Sequence, residues 1–439
     1  MTKQFKLSLF IFRRDLRLID NTALKEAMDA SETVIPCFIF DDRQIKDNTY
    51  FSENAFLFML QSLAELKNDI QNKKGHLYFF KGIAESCVEK LIHALPIEAL
   101  FFNRDYTPFS HRRDHAIRKI AEKNGRLFFS LPDALLHEPE AVFKKDRSPY
   151  TIFTPFYNQA ATLPVKPIKK IIQYSFYNEK IALSDELILA YYLEKYSKNS
   201  SFLGGRSEGL ALLSAMKKKK NYEKNRDFPS INATSHLSPH HKFGTLSIRE
   251  SYYAIKDTTF KKELYWRDFF THIAFHYAKV FSGAFHEKYN RIPWVNNKKH
   301  FQRWCEGKTG FPIVDAGMRE LNETGYMHNR VRMIVSSFLV KDLHIDWRWG
   351  EHYFATKLVD YDPAVNNGNW QWAASTGCDA QPYFRIFNPA LQQKRFDVEE
   401  KYIRYWVPEL NTKKYPLPIV DHAAAGVFSK KLFQLKEEK

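Results

Sequence analysis

Short apolar runs alternate with amphipathic segments along the first 131 residues. The runs have the length of buried strands, whereas the segments between them repeat apolar positions every three or four residues, as helices do. Asn21 is placed to cap the first helix, and residues 54–70 predict the longest one. We therefore predict an α/β N-terminal domain over residues 1–131, with a parallel, Rossmann-like sheet. The predicted strands are 7–12, 33–40, 76–80, 98–103 and 126–131.

The rest of the chain has a different pattern. Scattered prolines interrupt residues 132–200, which we interpret as a connector between domains that runs over the surface. From about residue 202 onward helical periodicity dominates, and all eight tryptophans lie at or after Trp266. We therefore predict an all-α C-terminal domain over residues 201–439, with a task different from that of the first domain.

Polar side chains follow the predicted strands at Arg13-Arg14, Asp41-Asp42, Lys81-Gly82 and Asn103–Asp105. Ligands of parallel sheets bind beyond the carboxyl ends of the strands, so these positions are candidate contacts. The first strand is not followed by G-x-G-x-x-G, which argues against a dinucleotide fingerprint there.

The net charge is +16 and the sequence pI is near 9.4. This balance favours a polyanionic partner, with nucleic acid first and an anionic membrane surface second. No apolar run reaches the ~18 residues of a membrane-spanning helix. The four cysteines are widely spaced and form no CxxC pair, so we expect no metal, no disulfide framework and a cytoplasmic location.

Three segments carry candidate chemistry. The first is 327–343, where Asn329 and Met333 share the polar face of a predicted helix, with Arg330 and Arg332 beside it. A methionine between two arginines is unusual on a solvated face. The segment is therefore either a helix buried on both sides or the wall of a pocket for a flat, polar, anionic molecule.

The second segment is 261–270, where Glu263, Trp266, Arg267 and Phe270 fall on one helical face. A carboxylate beside an indole and a guanidinium suits a heterocycle, since stacking of a base on an aromatic ring contributes ~1–3 kcal/mol. An aromatic contact between helices with a surface ion pair explains the same pattern equally well.

The third segment is 358–367, where Asp360 and Asp362 flank Tyr361. Paired carboxylates suit acid/base work or the recognition of ribose and amide groups. A glycosidase pair has the same composition, although nothing else in the chain resembles a sugar site.

Longer motifs, in order along nearly the whole chain, resemble the DNA photolyase/cryptochrome family, most closely bacterial cyclobutane pyrimidine dimer photolyases. They are FRRDLRLIDNTAL (12–24), TPF (154–156), TSHLSPHHKFGTLS (234–247), ELYWRDFF (263–270), GKTGFPIVDAGMREL (307–321), GYMHNRVRMIVSSFLVKDLHIDWRWGEHYF (325–354) and DYDPAVNNGNWQWAASTGCDAQPYFRIFNP (360–389).

The resemblance implies one FAD in its reduced form, folded into a U in the helical domain. Asn366 would face the central-ring nitrogen of the flavin, and an asparagine there resembles photolyases more than plant cryptochromes. Arg332 would pair with Asp360 near the ring. Asp360 and Asp362 would hold the isoalloxazine and ribose side. The other implied cofactor contacts are Tyr222, Thr234, Ser235, His236, Leu237 and Ser238 for the phosphates and ribitol, together with Arg267 and Tyr361.

The implied substrate is UV-damaged DNA whose dimer is flipped out of the duplex. Glu263 would hydrogen-bond the dimer, and Trp266 and Trp372 would pack against it. The implied DNA or lesion contacts also include Arg226, Lys242, Arg267, Asn329, Arg330, Met333, Arg385 and Gln392. The implied function is light-dependent dimer repair by electron transfer from excited reduced FAD, the work of a carbon–carbon lyase that acts as a monomer.

The resemblance also implies an electron relay of Trp370, Trp347 and Trp294, although each tryptophan alone is explained by core packing. Because residues two apart in a helix diverge by about 200°, Trp370 can face this relay while Trp372 faces the lesion. That division requires residues 370–375 to begin a helix, with Asn369 as its cap. Trp304, Trp349 and Trp406 are interpreted as structural.

Two alternatives stay open. A cryptochrome-type blue-light photoreceptor is the second interpretation, and a (6-4) photolyase, which usually has two histidines where this chain has Asn329 and Met333, is the third. The antenna chromophore is also open. Phe109 and Ser110 replace the Asn-Glu pair of folate-binding members, which argues against methenyltetrahydrofolate and leaves a deazaflavin, another flavin or an empty pocket.

Overall fold

The computed structural model describes residues 3–46 and 48–434, and the chain divides into two compact units. We call them the first and the second unit. The first consists of Met1–Val142, Gln159–Lys218 and Ser235–Asp268. The second consists of Phe143–Asn158, Lys219–Thr234 and Phe269–Lys439. The boundaries expected at residues 131 and 200 stay a prediction.

A five-stranded parallel sheet forms the centre of the first unit, in the order β3-β2-β1-β4-β5. The five predicted strands are thus confirmed. The strand order reverses between β1 and β4, where a doubly wound sheet has its ligand crevice. The strands are β1 (Phe5–Phe12), β2 (Ser31–Asp41), β3 (Tyr78–Gly82), β4 (Ala99–Asn103) and β5 (Leu127–Leu131).

Helices connect the strands, as the alternating pattern predicts. Asn21 caps the first helix by accepting a hydrogen bond from the Leu24 N–H. The helices up to β5 are α1 (Thr22–Ala30), α2 (Asp42–Ile45), α3 (Glu53–Gln71), α4 (Ala84–Ala94) and α5 (Pro108–Lys123).

No strand follows Leu131 in the described part of the chain, so the predicted all-α character of the C-terminal region is confirmed. The remaining helices are α6 (Phe153–Ala160), α7 (Ile188–Lys195), α8 (Arg206–Lys218), α9 (Tyr222–Asn225), α10 (Ser238–Phe243), α11 (Ile248–Ala254), α12 (Thr258–His276), α13 (Lys298–Cys305), α14 (Pro312–Thr324), α15 (Asn329–Lys341), α16 (Trp347–Lys357), α17 (Pro363–Ala374), α18 (Pro389–Phe396), α19 (Lys401–Trp406) and α20 (His422–Phe433), with 3₁₀ turns at Pro139–Ala141, Ala278–Phe281 and Glu287–Arg291.

A buried charge network lies inside the first unit. Arg249 pairs with Asp20 and Asp133 at 2.8 Å each, and Arg17 also pairs with Asp133. All four side chains are at most 5% exposed, and charges at such depth are tolerated only when they are paired and hydrogen-bonded. The network joins the start of α11 to the loops that follow β1 and β5.

The second unit has a large apolar core built mainly by α14, α15, α16 and α17. The apolar face of α15 belongs to it, as the helical periodicity of 327–343 predicts. Within the described residues, no helix combines the length and the apolar character needed to cross a membrane.

Candidate functional site

The segment with the paired aspartates begins α17. Asp362 is its N-cap, and the Asp362 carboxylate accepts hydrogen bonds from the N–H groups of Ala364 and Val365 at 3.1 and 3.3 Å. Pro363 occupies the first helical position, where its missing N–H costs nothing. The prediction that this helix begins at Trp370 with Asn369 as its cap is therefore wrong, because the Asp-Pro pair supplies the helix start eight residues before Trp370.

The two tryptophans of α17 do point in different directions, as the helical spacing predicts. Trp370 is 2% exposed and belongs to the core, whereas Trp372 is half-buried. Trp372 lines a largely apolar cleft together with Phe270, Val280 and Phe285. The inward and outward positions assigned to the two indoles therefore exist within the second unit.

Trp370 packs directly on a glycine of α16. A Cβ atom on Gly350 would lie 2.1 Å from Cη2 of Trp370, far inside van der Waals contact. The ring of Phe354 meets that of Trp370 edge-on, with 5.0 Å between centroids. Gly350 is thus required by close packing, and the position of Trp370 depends on it.

Asn366 lies one turn after the N-cap of α17 and is 8% exposed. Its amide nitrogen donates to the backbone oxygen of Glu351 at 3.1 Å and to Oε1 of Glu351 at 2.9 Å. Within the described residues this leaves the amide oxygen of Asn366 as an acceptor for a further donor. Burial raises the pKa of Glu351 to about 7, although the Asn366 amide opposes the rise.

Arg332 and Asp360 form the ion pair that the resemblance implies, with 2.9 Å between Nη2 and Oδ2. Nε of Arg332 donates to the Met327 backbone oxygen at 2.7 Å, and the guanidinium lies 5.0 Å from the Tyr326 ring centroid. These contacts hold the guanidinium in a fixed orientation. The pair offers both a donor and an acceptor to a bound heterocycle.

The polar face of α15 carries the residues that the sequence singles out. Asn329 is exposed and Met333 is half-buried, with 3.9 Å between Nδ2 and Sδ. Arg330 pairs with Asp227 at 2.9 Å and lies 4.2 Å from the Phe396 ring centroid. Asn329 and Met333 are therefore accessible, whereas Arg330 is already engaged by neighbours in the second unit.

The face of α12 that carries Glu263, Trp266 and Arg267 is half-buried, whereas Asp268 is 1% exposed. Nη1 of Arg267 donates to the Ala134 oxygen at 2.6 Å. The Asp268 carboxylate accepts hydrogen bonds from the backbone N–H groups of residues 136 and 137. These bonds tie α12 to the segment that follows β5.

The residues assigned to the phosphates and ribitol occur in both units. Tyr222 begins α9 and is 4% exposed, and Thr234 makes a hydrogen bond with the buried Tyr326 in the second unit. In the first unit, His236 has a positive φ of 53°, and Leu237 caps α10, which begins at Ser238. The N–H of Leu237 donates to Oγ of Ser235 at 3.4 Å.

The three tryptophans of the implied relay all belong to the core of the second unit or pack against it. Trp370 and Trp347 are 2% and 3% exposed. Trp294 is half-buried, with its ring edge-on to Phe433 at 5.7 Å. Trp370 and Trp347 are thus both buried, whereas Trp294 is partly exposed, and the order of the relay stays a prediction.

Comparison with known proteins decides the family. Residues 8–171 match the family model described as DNA photolyase, and residues 260–415 match the FAD binding domain of DNA photolyase. The deoxyribodipyrimidine photo-lyase of Alkalihalophilus pseudofirmus is 39% identical over 457 residues, which cover 94% of each chain. The chain belongs to the DNA photolyase family.

Solved photolyase structures share the whole fold. An archaeal photolyase from Sulfolobus tokodaii, described with two FAD molecules, has a TM-score of 0.91 and 44% identity, covering 98% of this chain and 99% of that one. A Synechocystis cryptochrome has a TM-score of 0.88 and 25% identity, covering 98% of this chain and 100% of that one. The α/β plus helical fold class and the FAD-binding domain are thereby confirmed.

The residues of this photolyase fit a flavin. Within the second unit the Arg332–Asp360 pair and the amide oxygen of the buried residue Asn366 supply donors and acceptors of the kind that an isoalloxazine ring needs. Glu351, which holds Asn366, is missed by the sequence interpretation. It lies in the middle of α16, inside the motif 325–354 but without an assigned role, and only the tertiary structure brings it to Asn366.

Proposed function

We propose that this photolyase repairs cyclobutane pyrimidine dimers in DNA with the energy of light. The observation that carries the proposal is the match over 94% of both chains to a relative named deoxyribodipyrimidine photo-lyase. When bound, reduced FAD supplies the electron that opens the cyclobutane ring and receives it back. The net reaction breaks carbon–carbon bonds without a net redox change, as expected of a carbon–carbon lyase.

The chain's own part is to hold the flavin and the extruded dimer. Arg332 and Asp360 orient the ring system, and the Asn366 oxygen accepts a hydrogen bond from it. Because Glu351 engages the nitrogen of the Asn366 amide, the oxygen is the atom presented to the flavin. The remaining proposed flavin contacts are Tyr222, Thr234, Ser235, His236, Leu237, Ser238, Arg267, Tyr361 and Asp362.

Glu263 is the proposed anchor of the dimer, to which it makes hydrogen bonds. Trp266 and Trp372 supply stacking surfaces, and both indoles are half-buried, so each keeps exposed ring area for the lesion. Asn329 and Met333 supply an accessible wall. Arg226, Arg330 and Gln392, with Lys242 and Arg385, are the proposed backbone contacts, and such contacts bind without regard to base sequence.

Trp370, Trp347 and Trp294 are proposed to return the flavin to its reduced form by passing electrons inward from the surface. Indole rings can be oxidised by one electron, which aliphatic core residues cannot. The burial of Trp370 and Trp347 and the partial exposure of Trp294 support this direction.

The test is light-dependent loss of dimers. The purified, chemically reduced protein is mixed with DNA that contains dimers and illuminated with blue or near-UV light, with a dark sample as control. Glu263→Gln should bind damaged DNA about tenfold more weakly, since a hydrogen bond to a charged group contributes ~1.5–3 kcal/mol, and should keep its FAD. An FAD-loaded protein that leaves the dimers intact in the light contradicts the proposal.

The same assay separates the second candidate function. A cryptochrome-type photoreceptor is favoured by one observation, the TM-score of 0.88 to the Synechocystis cryptochrome. Asn366 and Met333 favour repair instead. Photochemistry of the flavin without any dimer loss is the result expected of the photoreceptor.

The second chromophore of the Sulfolobus tokodaii photolyase suggests that this chain also takes an antenna flavin. At the strand ends of the first unit, Ser110 donates to Asp105 at 2.8 Å, and the Arg43 guanidinium lies 5.1 Å from the Phe109 ring centroid. Neither side chain resembles the Asn-Glu pair of folate-binding members. Chromatography of the released chromophores tests this, and recovery of a folate contradicts it.

We further propose that the protein is a cytoplasmic monomer. The four cysteines are free thiols, which suits a reducing compartment. Light scattering of the FAD-loaded protein should give the mass of one chain, 51.8 kDa plus cofactor. A mass of two chains contradicts the monomer.

A further inference from the structure

Trp370 has a second aromatic neighbour that can be oxidised, outside the proposed relay. The ring centroids of Trp370 and Trp304 are 6.2 Å apart, with the planes at 73°. Trp304 is 0% exposed, and its Nε1 donates to the Val335 backbone oxygen at 3.1 Å. The ring centroid of Phe354 lies 5.0 Å from that of Trp370 and 6.1 Å from that of Trp304. The two tryptophans are therefore packed in one rigid cluster.

The cluster continues toward solvent through Tyr353. Its ring centroid lies 5.8 Å from that of Trp304, with the planes at 62°. The phenol donates its one hydrogen to Oδ1 of Asn322 at 2.6 Å, and the Cys305 oxygen lies 3.2 Å from the phenol oxygen. Burial raises the pKa of Tyr353, so the phenol is protonated at neutral pH.

Asn322 is exposed and lines an open surface cleft. The same cleft is lined by the carboxylates of Glu306 and Glu323. Tyr353 does not itself line the cleft, but Asn322, which accepts the hydrogen bond of its phenol, does. Trp370, Trp304 and Tyr353 thus form a continuous aromatic path that ends one hydrogen bond away from the cleft.

We infer that Trp304 and Tyr353 are a second branch of the electron relay that ends at Trp370. The inference rests on the proposed function, because it requires a flavin that takes electrons from Trp370 in the light. Trp370 loses one electron to the photoexcited oxidised FAD and regains one from Trp304. Trp304 regains one from Tyr353, whose phenolic proton leaves to the cleft. A soluble thiol then returns one electron and one proton to Tyr353.

The branch is the slower of the two routes. Trp304 has no contact with solvent, and a positive charge on its ring is costly in an apolar core because no water stabilises it. Trp294, at the end of the first route, is half-buried and so partly solvated. Deprotonation of Tyr353 stabilises the charge separation. The neutral tyrosyl radical can take an electron back from the flavin only if it also recovers its proton.

The test uses FAD-loaded protein in the presence of a thiol. Trp347→Phe closes the first route and should leave about a tenth of the photoreduction rate. Adding Tyr353→Phe should lower the remaining rate by a further tenfold and abolish the light-induced tyrosyl signal in electron paramagnetic resonance. Tyr405→Phe, at a tyrosine that lines the same cleft, is the matched control and should change neither.

Two results overturn the inference. One is a Trp347→Phe protein with no more photoreduction than Trp370→Phe. The other is an unchanged rate when Tyr353→Phe is added to Trp347→Phe. Adding Trp304→Phe to Trp347→Phe tests whether the remaining photoreduction passes through Trp304. Tyr353→Phe removes only a hydroxyl group, so we expect this variant to keep the fold. The wild-type and Tyr405→Phe proteins should both repair dimers after chemical reduction, and a failure there counts against the proposed function alone.

Discussion

At the scale of single residues, hydrogen bonds within the protein decide which polar atoms of the site remain available to a ligand. The nitrogen of the Asn366 amide is engaged by Glu351, so its oxygen is the atom left to accept a hydrogen bond from a ligand. Glu351 is 6% exposed and has a raised pKa of about 7. Near neutral pH the Glu351 carboxyl is therefore only partly ionised.

The Glu351→Gln variant should become more stable relative to the wild type as the pH rises. The folded state holds the Glu351 proton up to about pH 7, whereas the unfolded state releases it near the ordinary pKa of 4.5. As the pH rises from about 4.5 to about 7, the contribution of Glu351 to the free energy of unfolding of the wild type therefore falls. Since one pKa unit corresponds to about 1.4 kcal/mol, the variant should gain on the order of 1–3 kcal/mol over wild type between pH 5 and pH 8.

Urea unfolding of both proteins at the two pH values measures this difference. Glu323→Gln is the matched control, because Glu323 is exposed and its replacement should give a difference that does not change with pH. A difference for Glu351→Gln that is equal at pH 5 and pH 8 would contradict the prediction.

At the scale of elements, α17 connects helix geometry to the site. Its start at Asp362 and Pro363 determines the phase of every later position. Asn366, Trp370 and Trp372 then follow at fixed angles, so the amide proposed to face the flavin, the inward indole and the outward indole come from one helix. The packing of Trp370 on Gly350 aligns α17 with α16.

Asp362→Ala should lower both stability and flavin content. The N-cap bonds to Ala364 and Val365 are lost, which costs about 1 kcal/mol, and the fraying reaches the turn that carries Asn366. Urea unfolding and the ratio of flavin to protein absorbance measure the two effects. Asp421→Ala, which removes the N-cap of α20, should cost similar stability and leave the flavin ratio unchanged. Equal flavin ratios for wild type and Asp362→Ala would rule the prediction out.

At the scale of the whole molecule, the net charge of +16 is the main feature of the sequence that predicts a polyanionic partner. Some of the basic residues are not available to a partner, since Arg17 and Arg249 are buried in ion pairs. Arg385, by contrast, is exposed. Affinity for DNA therefore depends on the exposed lysines and arginines and not on the total number of basic residues.

DNA binding should be strongly salt-dependent. With several phosphate contacts, affinity for damaged duplex should fall about 10³-fold between ~50 mM and ~200 mM salt. Arg385→Ala should reduce the slope of log affinity against log salt by about 1. Lys123→Ala, at an exposed lysine that is no proposed contact, should leave the slope unchanged. A wild-type affinity that does not respond to salt would contradict the backbone-led mode of binding.

The order of secondary-structure elements was available from the sequence alone, because strand and helix periods are local properties of the chain. All five strands, the cap at Asn21 and the apolar face of α15 follow from this local signal. The motifs around Asn366 and Trp370 likewise identified the family without coordinates. The start of α17 was missed even though its signal, Asp followed by Pro, is local.

Only the tertiary structure decided which side chains meet. Glu351 and Asn366 are 15 positions apart, and Trp304 and Trp370 are 66 apart, with no pattern that links either pair. Such contacts depend on how α13, α16 and α17 pack, which is a sum over many apolar contacts and not a property of any segment. The sequence by itself therefore determined the fold class and the family, whereas packing determined which atom of the Asn366 amide is already hydrogen-bonded and which aromatic rings meet between Trp370 and Tyr353.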